Sequence, residues 1–218
     1  LLARQRQGVA RVAQGLDAVQ RFELLAQAAD VDLLAWDRFG EPRHLVSALT
    51  FLVSRSQWPA VKSQLQRLNP DPQASRYALQ PLLKAPEFLR LAGLYHQNTG
   101  NVPKAVQMFE SGLRLAPQDE AMKQAMIWLF IDANDNVSLR KLLSVHEAAW
   151  SKNPEMQDSL GSAYQALSLP TVALERYFRP RIAANQGDFL WMMNYADALD
   201  QNQETDKSWR LRKHLLSE

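Results

Sequence analysis

Four histidines, His44, His96, His146 and His214, are the first side chains to test for chemistry, because imidazole titrates near neutral pH and readily binds metals. None lies three or four residues from another, so no helix face offers a paired imidazole site. His146-Glu147-Ala148-Ala149-Trp150 begins like the helix of a zinc protease, but Trp150 stands where the second ligand belongs. It reads instead as a partly exposed helical histidine. Asp132-x-Asn134-x-Asn136 carries the alternating oxygens that open a calcium loop, yet Val137 occupies the place of the sharp-turn glycine and Leu143 that of the closing glutamate. Asx residues at such a point more simply turn the chain between two helices. Glu147 and Asp158 are the carboxylates that could act as acid and base; nothing in their spacing pairs them, and both read as solvated helix surface.

The chain has no cysteine, which excludes a disulfide framework, a thiolate metal site and a cysteine nucleophile. There is no glycine-rich phosphate loop and no G-x-S-x-G elbow. The expectation is a non-enzyme with no catalytic residue, no metal site and no cofactor. Lys207, Arg210, Arg212, Lys213 and His214 make the tail basic, but nucleic acid would need such charge along a longer face with stacking aromatics. The net charge is only +2, so the tail reads as the polar face of a last helix whose Trp209, Leu211 and Leu215 pack elsewhere.

The elements that hold these residues are helices. Leu, Ala, Gln and Arg dominate, glycines are few, and strand-forming clusters of Val, Ile and Thr are missing. With 46% apolar and 22% charged residues, the composition is that of an ordinary folded chain. No apolar run reaches the roughly 18 residues a spanning helix needs, so no direct membrane contact is expected of this segment. Helical pattern already runs at Leu1, where there is no Met, and the chain reads as an internal segment of a longer protein.

Two apolar columns expose a repeat. Ala105, Leu139, Ala173 and Lys207 form one, Phe109, Leu143, Tyr177 and Leu211 the other, and every step is 34 residues. A third column, Tyr95, Phe130, Tyr164 and Ala198, steps by 35, 34 and 34. Each period holds two helices of about 12 to 14 residues that cannot bury their apolar faces alone and therefore stack on neighbours. A large aromatic on the first helix needs a small residue opposite it on the second, and Tyr164 with Ala173 and Tyr95 with Ala105 supply that pairing.

Leu160-Gly161-x-x-Tyr164 with Ala173 and Tyr177 resembles the tetratricopeptide-repeat family position by position. The unit with Tyr95, Gly100, Ala105, Phe109, Leu113, Leu115 and Pro117 is similar, with one extra residue in its turn. Met126, Phe130, Leu139 and Leu143 keep only the size and polarity of the pattern. The last unit has the family's early tryptophan at Trp191 but puts Lys207 where a small residue belongs, so its helix pair is expected to pack loosely or to be finished by a further repeat. The resemblance covers 86–218 and implies an all-α, right-handed superhelical solenoid of antiparallel helix pairs. The expected segments are 86–119, 120–153, 154–187 and an incomplete 188–218, preceded by 45–85 as a helix pair with an inserted short helix near Ala74 to Lys84. Residues 1–44 are expected to be degenerate helical repeats.

The family register implies an exposed groove along the first helices, at Gln124, Trp128, Asp132, Ser159, Ser162, Gln165 and Met192. Trp128 is either an anchor for a partner or packing between repeats. The lysine–asparagine clamp by which some family members grip a peptide carboxylate is absent, since Gln124, Trp128, Ser159 and Ser162 stand there. The final unit, Trp191-x-x-Asn194-Tyr195-Ala196-Asp197-Ala198-Leu199 and then Trp209-Arg210-Leu211-Arg212, is similar to the periplasmic repeat regions of Pel-type exopolysaccharide export proteins. That resemblance implies a periplasmic segment of an outer-membrane protein that docks a polysaccharide-modifying enzyme, a deacetylase or hydrolase. A groove that guides the polysaccharide itself, and an adaptor of another pathway, are the alternatives.

Overall fold

A computed structural model describes residues 18–71, 77–183 and 189–217. The chain divides into two compact units, Leu1–Pro117 and Gln118–Glu218. Among the described residues both units are all-α. The first contains α1 (Ala18–Phe39), α2 (Pro42–Ser54), α3 (Trp58–Gln66), the single turn α4 (Leu79–Leu82), α5 (Pro86–Asn98) and α6 (Val102–Leu115). The second contains α7 (Glu120–Asp132), α8 (Asn136–Trp150), α9 (Gln157–Ala166), α10 (Pro170–Ala173), a π-helical segment Leu174–Phe178, α11 (Arg179–Ala183), α12 (Phe189–Gln201) and α13 (Thr205–Leu215). Of the short helix expected near Ala74 to Lys84, the described residues form α4, which follows a bridge between Asn69 and Ala78 made by the bonds Asn69 N to Tyr77 O and Leu79 N to Asn69 O. Its expected start, and the first 17 residues of the degenerate segment, lie outside the described residues.

Local rules explain why the helices start and stop where they do. Prolines open α2, α3, α5, α6 and α10 within their first two positions, where a missing N–H costs nothing. Asn101, Asp119 and Asp135 cap their helices by accepting from the N–H of Lys104, Met122 and Ser138. The calcium-loop look-alike is thus a turn: Asn134 bends the chain and Asp135 caps α8. Five first helices end in the same way, with a residue in the left-handed region at Ser56, Gly100, Asn134, Ser168 and Gln203. In each the next N–H donates back to a carbonyl five residues earlier: Gln57 to Leu52, Asn101 to His96, Asp135 to Phe130, Leu169 to Tyr164 and Glu204 to Leu199. This is a Schellman closure, and it marks one position of the repeat without reference to side chains.

The closing carbonyls correct two columns. The aromatic column runs through His96, not Tyr95, and steps by 34 to Phe130 and Tyr164. The extra residue expected in that unit's turn therefore does not exist. The last member is Leu199, not Ala198, one residue late. Nine residues beyond each closing carbonyl stand Val61, Ala105, Leu139, Ala173 and Ser208, every one fully buried. Ser208 fills the place assigned to Lys207, which points outward to pair with Glu204 at 2.6 Å. The slip originates in the π segment, which inserts one residue into the second helix of the preceding pair.

The same insertion is visible in the packing. A Cβ built on Gly93 would meet the Phe109 ring at 2.4 Å, and one on Gly161 would meet the Phe178 ring at 2.8 Å. Each glycine lets a phenylalanine of the paired helix press onto the helix backbone. Phe109 follows Ala105 by four residues, whereas Phe178 follows Ala173 by five. Phe178, not Tyr177, is therefore the true counterpart of Phe109. First helices pack on first helices within each unit: α2 on α5, α7 on α9 and α9 on α12. The first core gathers Trp36, Leu49, Val61, Leu82 and Phe88; the second gathers Leu174, Phe178, Trp191 and Leu199.

Candidate functional site

The seven residues expected in the groove separate into three kinds. Ser159 and Ser162 are only 4% and 9% exposed, so they are not groove surface. Their side chains are short, and the neighbouring helices of the second unit close over them. Gln124 and Gln165 tie one pair to the next: the Gln124 amide donates to the Glu155 carbonyl at 2.8 Å and that of Gln165 to the Asn194 carbonyl at 3.2 Å. Met192 is half-buried against the second core. Trp128 and Asp132 remain exposed, one turn apart on α7. Trp128 is 40% exposed although it stands in a helix that is otherwise largely buried. Of its two readings, burial between repeats is the one this exposure disfavours.

Several partnerships join residues far apart in sequence. Glu147, expected as solvated surface, is the centre of a cluster at the junction of α8 with α9 and the π segment. Its carboxylate accepts from Tyr164 Oη at 2.7 Å, Tyr177 Oη at 2.5 Å and the Arg176 guanidinium at 3.1 Å. Burial alone would raise its pKa, but the three donors together outweigh burial and hold it below the usual carboxylate range. Burial, reinforced by the Glu147 charge, pushes Tyr164 up to about 12 and Tyr177 higher still. An open cleft of about 410 Å³ lies beside the cluster, lined by Glu147, Ala148, Ser151, Arg176 and Tyr177. The carboxylate, held ionised by these donors, fastens α8 to α9 and to the π segment.

Asp158 is likewise partnered, by Arg181, whose guanidinium also lies 5.1 Å over the Trp191 ring. His44 is buried and bonds Asp32 at 2.9 Å, joining α2 to α1. His146 is half-buried and stacks on Trp150 with ring centroids 4.8 Å apart. In the basic tail, Lys207 pairs with Glu204 and Arg212 bridges Asp197 and Asp200. Trp209, expected to pack, is 68% exposed, because the register places Ser208 against the core instead.

Comparison with protein families returns the tetratricopeptide repeat, matched over residues 1–218. The match reaches upstream of residue 86, where the columns decay, and includes the segment read as degenerate. No curated protein and no solved structure matches the chain.

Proposed function

Starting from the chain's membership of the tetratricopeptide-repeat family, whose members are typically non-catalytic protein-interaction scaffolds, we propose that it docks a periplasmic polysaccharide-modifying enzyme during Pel-type exopolysaccharide export across the outer membrane. The pathway reading is supported by the likeness of the last unit, Trp191 to Arg212, to the repeat regions of such export proteins. In this reading the chain is a periplasmic part of an outer-membrane protein, and the docked enzyme is the deacetylase or hydrolase of the pathway.

The observation that carries docking is Trp128. A large ring left 40% exposed on a first helix, with Asp132 one turn away, offers an apolar anchor beside a charge. The test is size-exclusion chromatography of the chain with the purified deacetylase–hydrolase at micromolar concentration. Co-elution that Trp128→Ala weakens by roughly tenfold or more supports the proposal; separate elution of the two proteins at that concentration ends it.

The exposed ring also favours a second reading, in which the sugar itself runs along this face and stacks on Trp128. Titrating pathway oligosaccharides while following tryptophan fluorescence separates the two. A response lost in Trp128→Ala supports guidance of the polysaccharide, and a flat response removes it.

A further inference from the structure

The junction of α3 with α5 and α6, in the first unit, forms a cleft of about 320 Å³, within the roughly 300–1,000 Å³ of typical ligand sites. Leu65, Leu79, Phe88 and Met108 make its floor. Lys62 and Lys104 stand exposed at its rim, with the half-buried His96 beside them. No Asp or Glu lines it, and among the described residues neither lysine pairs with a carboxylate. Burial, and then the Lys104 charge, hold His96 below its ordinary pKa, so at neutral pH its imidazole is uncharged.

The corresponding junction of the second unit shows what is missing. There the second helix α8 meets α9 and the π segment, and Glu147 supplies a carboxylate to Tyr164, Tyr177 and Arg176. The turn closures place His96 and Tyr164 at one position of the repeat, and the glycine–phenylalanine contacts place Met108 where Tyr177 stands. One junction thus contains its own acid. The other has cations and apolar side chains, but no acid.

We propose that the cleft of the first unit is a docking site for an acidic–hydrophobic segment of a partner protein, with an Asp or Glu carboxylate held between Lys62 and Lys104 and Leu or Phe side chains covering the floor. The occupant follows from charge and polarity. Two ammonium groups without counter-charge select an anion, and an apolar floor flanked by them selects one carried on an apolar segment. The inference rests on the reading of the chain as a protein-interaction scaffold and does not depend on the pathway it serves.

Fluorescence anisotropy of the whole 218-residue chain tests it, with two labelled probes: a short peptide of Glu interspersed with Leu and Phe, and the same peptide with Lys in place of Glu. The acidic peptide is expected to bind, and the double variant Lys62→Glu/Lys104→Glu to weaken it by about tenfold or more while binding the lysine peptide better than the parent chain does. Both lysines are exposed, so circular dichroism should be unchanged. Trp128→Ala should retain full peptide affinity. Absent binding of the acidic peptide, or equal binding by parent and double variant, overturns the proposal. If the peptide binds and the modifying enzyme does not co-elute, the pathway reading alone fails; if the enzyme co-elutes and the peptide does not bind, only the cleft proposal fails.

Discussion

The two junctions, α3 with α5–α6 and α8 with α9 and the π segment, are built on one repeat with two differences: the second has one residue inserted in its π segment, and the first has an insertion that includes α4, so that Ala105 follows Val61 by 44 residues where Ala173 follows Leu139 by 34. In the first unit Phe109 follows Ala105 by four residues and the preceding Met108 lies in an apolar cleft. In the second, the insertion carries Phe178 into the equivalent place against Gly161, and Tyr177 before it reaches the Glu147 carboxylate. The comparison teaches that core and surface are separable here. The glycine–phenylalanine contact is kept in both, while the residue beside it differs: Tyr177 reaches a carboxylate that α8 supplies, and Met108 lies in a cleft whose lining has none.

The largest effect that sharpens this comparison concerns the shared contact. Phe109→Ala and Phe178→Ala should each cost about 3–5 kcal/mol by chemical denaturation, since both rings are fully buried. A much smaller loss at Phe178 would break the equivalence. Next, Gly93→Ala should cost about 1–3 kcal/mol, because its Cβ would lie 2.4 Å from the Phe109 ring, and Phe109→Leu in the same chain should recover part of that loss. Two costs that simply add would show that the contact is not what limits the site.

At the fastened junction, Glu147→Ala should lower stability by about 1–2 kcal/mol, a figure kept small by partial solvent exposure. Its pH signature has a definite sign. Glu147 is held below the ordinary carboxylate range, so its contribution is present above that range and fades as pH falls through it. Tyr164 is raised from 10.0 to about 12, so its contribution is present below 10 and fades as pH rises towards 12. Denaturation midpoints of parent and Glu147→Ala chains should therefore differ most between these limits and converge outside them. A constant gap at every pH would contradict the cluster. The smallest effect belongs to the corrected register: Lys207→Ala should stay within about 0.5 kcal/mol of the parent, whereas Ser208→Leu, forced into a fully buried site, should cost clearly more.

Much of the fold is legible in residue spacing because burial follows backbone geometry. Ala105, Leu139 and Ala173 stand 34 residues apart and are all buried. The column fails where side-chain size misleads. Tyr95 looks like the aromatic member, but His96 holds the position, and the equal separation of Gly93 from Ala105 and of Gly161 from Ala173 is the clue that fixes it. The π insertion is hidden because Tyr177 and Phe178 are both aromatic and both buried, so either satisfies the pattern. The groove was less legible. Exposure of Trp128 follows from its register, but burial of Ser159 and Ser162 depends on neighbouring helices that spacing does not show. Glu147 could not be read as a centre, since its partners lie 17, 29 and 30 residues away. A helical pattern reports neighbours three and four residues apart and is blind beyond them.

Amide hydrogen exchange of the whole chain, with and without the acidic Glu–Leu–Phe peptide at saturation, tests the contrast between an open and a fastened junction most directly. Added protection is expected in α3, α5 and the start of α6, with α8 and the segment Leu174–Phe178 unchanged. Protection centred on α8 and that segment, or no protection at either junction, would contradict it.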